Sequence, residues 1–176
     1  MNNKTNQREL LILRHGKSAW DNFESDFDRT LTEQGQQSVK RVAIYLQQND
    51  LIPDFILSSP ARRAIHTASI ICHSLGINAE TIHTDSQVYN ARVQDLLAAI
   101  PQCPQQRHRL LLVGHNPSLE ELVDYLRSDS SGQHDSHLSP ATLVHLQTDN
   151  EWQQLQPSCT QLVSMTHAKT LANNDD

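Results

Sequence analysis

Two segments of the chain place a histidine two positions after a run of apolar residues. They are 11–16, with the sequence Leu-Ile-Leu-Arg-His-Gly, and 111–116, with the sequence Leu-Leu-Val-Gly-His-Asn. Such short, continuous apolar runs are typical of strands buried on both faces of a parallel sheet. Because parallel strands end at the same edge of a sheet, we expect His15 and His115 to lie close together there. The glycine beside each histidine should let the backbone turn tightly and approach a ligand closely.

Arginines lie next to the first histidine and at the start of an expected helix. Arg14 directly precedes His15, and the pair Arg62 and Arg63 follows the segment 58–60, Ser-Ser-Pro. A guanidinium group can bind two oxygens of one phosphate, and the backbone N–H groups at a helix start also favour an anion. Each feature alone is equally typical of a loop histidine or a solvated surface arginine. Their convergence at one sheet edge favours a site for a doubly charged phosphoryl group.

Three more residues beside the histidines are candidates for phosphate binding. Lys17 and Ser18 follow the first histidine directly, although Lys17 fits a solvent-exposed charge equally well. Asn116, together with Pro117, begins a helix directly after the second histidine, which brings further backbone N–H groups to the same place. Trp20 is expected to pack against the protein rather than to provide a platform for substrate.

Short apolar strands alternate with amphipathic helices along the chain. Helical spacing of apolar residues, with flanking Gly and Pro, marks the helices. The expected strands are about 10–13, 54–58, 81–84, 110–113, 142–147 and 161–165. The expected helices are about 33–48, 60–75 with Ser58 or Ser59 as its cap, 93–100 ended by Pro101, and 117–126. This alternation predicts an α/β fold, a three-layer α/β/α sandwich with a mostly parallel central sheet.

The domain organisation follows from the length and from the distribution of apolar residues. A chain of 176 residues fits one domain. Within 1–176 we expect a single core over about 10–166, a mobile polar loop over about 128–139 and a frayed tail from about 169. In open sheets of this class, ligands bind outside the carboxyl ends of the strands, where the histidines and arginines are expected.

Charge and cysteine content disfavour several classes of function. The formal net charge of −6 argues against nucleic acid or an anionic membrane as the main partner, because both attract clustered Lys and Arg. Cys72, Cys103 and Cys159 are too irregularly spaced for a zinc knuckle or a disulfide scaffold. His134 and His137 have no third ligand at a useful spacing, so no metal site is expected. The first residues resemble neither a signal sequence nor a membrane span, and we expect a cytoplasmic monomer.

Four motifs, in order, resemble those of the histidine phosphatase superfamily. The segment 13–18, Leu-Arg-His-Gly-Lys-Ser, resembles the family's Arg-His-Gly signature, and 28–35, Asp-Arg-Thr-Leu-Thr-Glu-Gln-Gly, is similar to its R-x-L-T-x-x-G segment. The segment 58–68 looks like its second arginine motif, and 113–117, Val-Gly-His-Asn-Pro, looks like its V-G-H-N-P motif. The Lys-Ser-x-Trp variant at 17–20 and the short chain look most like the SixA-type phosphohistidine phosphatase branch.

This resemblance implies a phosphoglycerate mutase-like fold and assigns roles to the candidate residues. His15 would attack phosphorus and form a covalent phosphohistidine, which water then hydrolyses. Arg14 and Arg63 would neutralise the phosphoryl oxygens, and His115 would donate a further hydrogen bond to them. Arg63 is preferred to Arg62 because it precedes the Ala-x-x-Thr of the motif. Since an unperturbed imidazole titrates near ~6.5, activity should fall at acid pH.

One departure from the family bears on the substrate. Many members that cleave phosphate esters carry a glutamate as proton donor, whereas the corresponding stretch 87–92, Gln-Val-Tyr-Asn-Ala-Arg, has no carboxylate. An alcohol needs a proton to leave, but the imidazole of a phosphohistidine can leave as a neutral group. The resemblance therefore implies hydrolysis of phosphohistidine, most of all on a protein, without metal or organic cofactor. Asp21, Asp28 and Asp85 stay open as acids, although loop capping is their commoner role.

Two other functions stay open. One is hydrolysis or transfer of phosphate on a small phosphate ester, although a mutase would need both the acid and room for an insertion that covers the substrate. The other is a non-catalytic module that binds phosphorylated proteins. Such a module would be marked by loss of the nucleophile, whereas His15 and the arginines are present in this chain.

Overall fold

A computed structural model describes residues 7–20, 25–128 and 137–171, in which six strands form one sheet flanked by four α-helices. The strands are β1 Arg8–Arg14, β2 Phe55–Ser58, β3 Ile82–Thr84, β4 Arg109–Gly114, β5 Thr142–Thr148 and β6 Gln161–His167. The helices are α1 Glu33–Gln48, α2 Arg62–Leu75, α3 Val93–Ala99 and α4 Ser118–Leu126. Each strand and helix expected from the sequence is present, with its ends displaced by a few residues at most.

The sheet combines a parallel part with an antiparallel edge. Its strands lie in the order β3-β2-β4-β1-β5-β6. The first four strands in this order are parallel to one another, and β5 and β6 continue the sheet as antiparallel strands. The prediction of a mostly parallel central sheet is therefore confirmed.

Helices cover both faces of the sheet, as the side chains of β1 illustrate. Successive side chains of a strand point to opposite faces, so a strand covered on both sides must be apolar at every position. Leu11 and Leu13 pack with the buried residues of α1 and α2, whereas Leu10 and Ile12 pack with those of α3 and α4. This arrangement confirms the three-layer α/β/α sandwich.

Strands β1 and β4 are neighbours and pair in parallel. Leu13 lies opposite Val113 and Arg14 lies opposite Gly114. The ladder continues one step further, because the amide of His15 donates a hydrogen bond to the carbonyl oxygen of Gly114 at 3.2 Å. Both strands therefore end at the same level, and the residue that follows each of them is a histidine.

The start of α2 differs from the expectation. The helix begins at Arg62 rather than at Pro60, because Ala61 keeps an extended backbone with φ −60° and ψ 137° and serves as the N-cap. Neither Ser58 nor Ser59 caps the helix, so that prediction was wrong. The hydroxyl of Ser59 instead accepts a hydrogen bond from the amide of Ala61 at 3.2 Å.

The remaining segments show smaller differences. Helix α3 ends at Ala99, and Pro101 lies within the 3-10 turn Ile100–Gln102 that follows. Another 3-10 turn, Ala168–Thr170, follows β6 where the frayed tail was expected to begin. Residues 172–176 and most of the loop expected at 128–139 lie outside the described residues. Among the helices of the described ranges, none is both long and apolar enough to cross a bilayer.

The loop after β1 packs tightly against the first turn of α1. A Cβ atom at Gly35 would lie 2.1 Å from the carbonyl oxygen of Lys17, and one at Gly16 would lie 2.9 Å from the carbonyl oxygen of Gly35. The amide of Thr32, the N-cap of α1, donates to the same Lys17 oxygen at 2.9 Å. The glycine beside His15 is thus needed for close packing against a helix, a role that was not expected from the sequence.

We predict that Gly35→Ala destabilises the protein. Alanine normally favours a helix over glycine by about 1 kcal/mol, but here the added Cβ would overlap a backbone oxygen, and overpacking of this kind costs about 1–3 kcal/mol. Urea unfolding should give a lower free energy of unfolding for the variant than for the wild type. The control is Gln37→Ala at an exposed position of the same helix. Equal or higher stability of Gly35→Ala would contradict this account of the packing.

Candidate active site

His15 lies directly after β1 and is buried, and its hydrogen bonds determine its tautomer. Its Nδ1 lies 2.7 Å from the carbonyl oxygen of Gly16. A carbonyl oxygen can only accept a hydrogen bond, so Nδ1 carries the proton and Nε2 keeps its lone pair. The Nε of Arg63 donates to this Nε2 at 3.2 Å. The geometry therefore presents the unprotonated nitrogen of His15 beside a cationic group.

The surroundings of His15 keep its imidazole neutral. Its pKa is lowered to about 4, mainly by burial and in addition by the charges of Arg63 and Arg14, while the hydrogen bond to Gly16 acts in the opposite direction. The value near ~6.5 applies to an unperturbed, solvated histidine, whereas this ring is buried. At neutral pH, Nε2 therefore carries no proton, and its lone pair can attack once the hydrogen bond from Arg63 is released.

Arg63 lies in the first turn of α2, and its guanidinium is buried at the centre of the site. Besides His15, it contacts Asp26 twice, because Nη1 donates to the main-chain oxygen and Nη2 donates to Oδ2 at 3.0 Å. The neighbouring Arg62 is exposed and does not line the cleft around His15. Of the two adjacent arginines, the structure thus brings Arg63 to the histidine, as the motif implied.

His115 follows β4, and its ring lies beside that of His15. The ring centroids are 5.1 Å apart, and both imidazoles line the same cleft. Nε2 of His115 lies 2.8 Å from the hydroxyl oxygen of Ser59, while its buried Nδ1 contacts no hydrogen-bond partner within the described part of the chain. Burial lowers the pKa of His115 to about 3, assisted by the proximity of His15 and Arg63. This ring is also neutral at pH 7.

The other predicted phosphate-binding residues line the same cleft and contact neighbouring residues. Arg14 donates from Nη1 to the main-chain oxygen of Leu138 at 2.6 Å. Lys17 is exposed and donates to Oε1 of Gln34 at 2.9 Å. The hydroxyl of Ser18 accepts a hydrogen bond from Arg29 at 3.0 Å. The side-chain Nδ2 of Asn116 donates to Oε1 of Glu120 at 2.6 Å and to the main-chain oxygen of Leu138 at 2.8 Å.

The helix starts contribute unequally to the cleft. Asn116, the N-cap Pro117 and Ser118, the first residue of α4, line it. The start of α2 contributes only the side chain of Arg63, and the backbone of 58–62 is not part of the lining. At α2, the cleft is thus lined by Arg63 and by none of the residues 58–62, whose backbone N–H groups the sequence suggested as anion ligands.

The cleft has a volume of about 650 Å³ and a strongly positive lining. Among the residues that the structure describes, it is lined by four cationic side chains, from Arg14, Lys17, Arg29 and Arg63, and by one carboxylate, from Asp26. The whole chain carries a net charge of −6, so the positive charge is concentrated locally against the overall balance. Such a cleft favours a compact dianion, since arginine groups hold phosphoryl oxygens by charge-assisted hydrogen bonds.

Trp20 and Arg29 form the rim of the cleft, which the sequence did not predict. The side chain of Trp20 is 80% exposed, and the guanidinium carbon of Arg29 lies 3.9 Å from the centre of its ring. The expectation that Trp20 packs against the protein was therefore wrong. Trp20 lies at the mouth of the cleft because it follows His15 closely along the chain. There the guanidinium of Arg29, rather than an apolar core, covers one face of its ring.

The sequence also did not predict that Asp26 belongs to the site. Burial acts to raise its pKa, but the hydrogen bond from Tyr89 and the charges of Arg63 and Arg29 outweigh this effect and lower the pKa to about 2. The only hint in the sequence was its place three residues before the arginine of the R-x-L-T-like segment. Its contacts with residues far along the chain have no local signature.

The aspartates considered earlier as acids have other roles in the described ranges. Oδ2 of Asp28 accepts a hydrogen bond from the hydroxyl of Ser25, and Oδ1 of Asp85 accepts from the amide of Gln87 at 2.8 Å. Neither aspartate lines the cleft, which agrees with the capping role. Asp21 lies outside the described residues.

No cluster of metal ligands occurs in the described ranges, which cover 7–20, 25–128 and 137–171. These residues contain no group of three or more His, Cys, Asp or Glu side chains able to hold a metal ion. Nδ1 of His137 lies 3.2 Å from Oε1 of Glu120, and His134 lies outside the described residues. Cys72, Cys103 and Cys159 are present as thiols.

Comparison with known proteins identifies related sequences. A family model described as the histidine phosphatase superfamily (branch 1) matches residues 10–85. A 2,3-bisphosphoglycerate-dependent phosphoglycerate mutase of Bifidobacterium longum (strain DJO10A) is 43% identical over 65 residues, which make up 35% of this chain and 26% of the mutase. The chain thus spans about a quarter of the length of this relative. An uncharacterized protein of Picosynechococcus sp. (strain ATCC 27264 / PCC 7002 / PR-6) is 31% identical over 159 residues, covering 81% of this chain and 92% of that protein.

Two solved structures share the fold over nearly the whole chain. A protein assigned as phosphohistidine phosphatase SixA from Nakamurella multipartitia superposes with a TM-score of 0.80 at 23% identity, covering 92% of this chain and 96% of that one. Another, assigned in the same way, from Agrobacterium tumefaciens, superposes with a TM-score of 0.73 at 27% identity and covers 90% and 97% of the two chains. These likenesses confirm the phosphoglycerate mutase-like fold that the sequence motifs implied.

We predict that the imidazole of His15 titrates with a midpoint near pH 4. Nitrogen NMR of the folded protein should show Nδ1 protonated and Nε2 unprotonated at pH 7, because burial and the nearby arginines disfavour the charged ring. The unfolded chain should bind the same proton near ~6.5, so stability should fall as the pH drops from about 6.5 towards 4. His15→Ala identifies the signal, and unfolded protein in urea provides the solvated reference. A midpoint at or above that of the unfolded chain would contradict the proposed environment.

Proposed function

Because the chain belongs to the histidine phosphatase superfamily, we propose that it hydrolyses a phosphorylated substrate through a covalent phosphohistidine on His15. The observation that carries this proposal is the unprotonated Nε2 of His15, which lines a positive cleft and lies 3.2 Å from the guanidinium of Arg63. A buried neutral imidazole beside a guanidinium fork combines a nucleophile with groups that bind the phosphoryl oxygens.

The reaction proceeds in two displacements. In the first, the hydrogen bond from Nε of Arg63 to Nε2 of His15 is released, and the lone pair of this Nε2 forms a bond to phosphorus. The bond from phosphorus to the leaving group breaks at the same time, and its electron pair departs with the leaving group. In the second, a water oxygen attacks phosphorus, the bond to Nε2 breaks, and inorganic phosphate is released. Arg63 and Arg14 neutralise the phosphoryl oxygens, and the single N–H of neutral His115 donates to them.

The charge of Asp26 favours phosphohistidine over an ordinary phosphate ester as substrate. Asp26 is the carboxylate that lines the cleft within the described residues, and with a pKa of about 2 it is ionised at neutral pH and has no proton to give. An alkoxide is a poor leaving group without a general acid, since its conjugate acid has a pKa comparable to the ~15.7 of water. The imidazole of a phosphohistidine leaves as a neutral group, so it suits a site of this kind.

The exposed rim favours a protein as the carrier of the phosphohistidine. Trp20 presents 80% of its surface at the mouth of the cleft, with Arg29 stacked on it. An exposed tryptophan paired with arginine is typical of protein interfaces, where these residue types contribute much of the binding energy. A small phosphate ester that reaches only His15 and the arginines would not need this surface. The expected monomeric state and the absence of nucleic-acid partners remain predictions from the composition.

The decisive test is transfer of labelled phosphate to the protein. A histidine-containing protein phosphorylated with labelled phosphoramidate should transfer its label to the wild type in a rapid-quench experiment, and His15→Ala should carry no label. The wild type should release phosphate from this substrate at least about tenfold faster than from a sugar phosphate, because only the ester requires a proton donor. A chelator should leave both rates unchanged.

Each alternative function gives a different result in the same experiment. A non-catalytic module would bind the phosphorylated protein without releasing phosphate. A phosphomonoesterase would hydrolyse the sugar phosphate at least as fast as the phosphorylated protein. Label on His15→Ala would contradict the assignment of the nucleophile.

We predict that Trp20→Ala raises the KM for the phosphorylated protein by about tenfold, the loss expected when an interface aromatic worth about 1.4 kcal/mol is removed. The kcat for this protein, and both constants for phosphoramidate alone, should stay close to the wild-type values, because the small molecule does not reach the rim. The matched control is Val163→Ala, which removes another exposed apolar side chain, 48% exposed, that does not line the cleft. An equal effect of Trp20→Ala on both substrates would argue against a protein-binding rim.

A further inference from the structure

Asp26 joins three side chains that come from different parts of the chain. It begins the 3-10 turn Asp26–Asp28 at the edge of the cleft, and its side chain is 46% exposed. Its main-chain oxygen and Oδ2 each accept a hydrogen bond from Arg63. Oδ2 also accepts from the hydroxyl of Tyr89 at 2.8 Å, and Oδ1 accepts from Nε of Arg29 at 3.0 Å. All these contacts converge on one residue.

We propose that Asp26 is the positioning residue for Arg63 in phosphoryl transfer: it holds the guanidinium beside Nε2 of His15 and turned towards the phosphoryl group. This inference rests on the function proposed above. Asp26 acts on the reaction through the arginine rather than by touching the phosphoryl group itself.

The donors of Arg63 are sufficient for both tasks. A guanidinium has five N–H groups in a fixed planar fork. The bonds to His15 and Asp26 use three of them, one from Nε and one from each terminal nitrogen. The second N–H of each terminal nitrogen remains for an oxygen of the phosphoryl group. Asp26 can therefore stay bound to Arg63 while the arginine binds substrate.

The need for such an anchor follows from the length and flexibility of an arginine side chain. Its many rotamers must be restricted before the fork can meet a phosphoryl group with the correct orientation, and a small misplacement costs a large factor in rate. Two acceptors on one residue, a main-chain oxygen and a carboxylate oxygen, fix both ends of the fork. The carboxylate remains ionised over the whole working pH range, as its lowered pKa indicates.

The contacts of Tyr89 extend the same arrangement to the second histidine. Its hydroxyl donates to Asp26, and its ring lies edge-on to the ring of His115 with centroids 5.7 Å apart. Asp26 is thereby tied to the element that carries Arg63 and, through Tyr89, to the wall formed by His115. Displacement of Asp26 would affect the orientation of Arg63 first, because two oxygens of Asp26 accept hydrogen bonds from that side chain.

The opposite role would give the opposite kinetics. If Asp26 merely occupied Arg63 as an internal competitor of phosphate, its removal would free the arginine, lower KM and raise the rate. If it positions Arg63, its removal lowers kcat. The direction of the change therefore distinguishes the two roles.

The test is a double-mutant cycle with the phosphohistidine protein as substrate. Arg63→Ala alone should lower kcat by about 100-fold, the effect of removing a donor to the transition state. Asp26→Ala should lower kcat by about tenfold or more, because a misoriented group loses much of its effect. In the Arg63→Ala background, Asp26→Ala should cause no further loss, since its action requires the arginine. Asp26→Asn keeps the main-chain oxygen and one side-chain oxygen as acceptors for Arg63 and places an NH2 group where Oδ1 accepts from Arg29. It should therefore recover much of the activity lost in Asp26→Ala.

The matched control is Asp28→Asn in the same 3-10 turn, at an exposed position outside the cleft lining. It removes the same charge and should change kcat by less than about twofold, the range of ordinary surface substitutions. Thermal unfolding should give similar midpoints for Asp26→Ala and Asp28→Asn. Unchanged or increased kcat in Asp26→Ala, or an equal loss with and without Arg63, would overturn the proposal.

A measurement that needs no turnover separates this proposal from the proposed function. In the wild type and in Asp28→Asn, the Nε–H signal of Arg63 should exchange slowly with water, because it is buried and bonded to His15. Exchange should become fast in Asp26→Ala. If neither the wild type nor any variant hydrolysed a phosphorylated substrate, the proposed function would be refuted. If the Nε–H of Arg63 exchanged as slowly in Asp26→Ala as in the wild type, the positioning role would be refuted, whatever the activity.

Discussion

Strand β1 pairs in parallel with β4, with Arg14 opposite Gly114, and the rest of the site depends on this pairing. The register brings the chain out of the sheet at the same level on both strands, so the rings of His15 and His115 lie 5.1 Å apart. A shift of one residue would turn every side chain of a strand to the opposite face. Because the strands are buried on both faces, the apolar core itself holds the register and with it the two histidines.

The burial that the fold imposes has a direct chemical consequence for these histidines. Removal from water and the nearby arginines both disfavour an imidazolium ion, so both rings are neutral where a solvated histidine would be partly charged. The hydrogen bond to the Gly16 carbonyl then decides which nitrogen of His15 keeps its lone pair. The groups that attract an anion are thus the same groups that keep the nucleophile unprotonated.

The charges around the cleft are organised rather than simply accumulated. Four cationic side chains of the described residues line it in a chain whose net charge is −6, and the carboxylate of Asp26 lies among them. Asp26 contacts Arg63 and Arg29, so it neutralises part of the repulsion between neighbouring guanidinium groups. The exposed ring of Trp20 covers one face of Arg29, which keeps that charge at the mouth of the cleft.

The sequence by itself determined the elements and the candidate residues that lie within them. The apolar runs of β1 and β4 and the helical spacing in α1 predicted the three-layer fold, because strand and helix periodicity are properties of neighbouring residues. Short motifs likewise identified the histidines, Arg14 and Arg63 as candidates. Where α2 begins was less predictable, since Ala61 keeps an extended backbone and serves as the N-cap.

Only the tertiary structure decided which side chains surround the histidines and in which state. Asp26 contacts Arg63, 37 positions away, and Tyr89, 63 positions away, and the sequence contains no spacing rule for contacts of such separation. Neighbours that only folding brings together also determine the low pKa of His15, the exposure of Trp20 and the packing of Gly16 against α1. The local sequence pattern therefore determined the strands, the helices and the candidate residues. The burial and the charges that arise when these elements pack together determined the contacts and protonation states of the site.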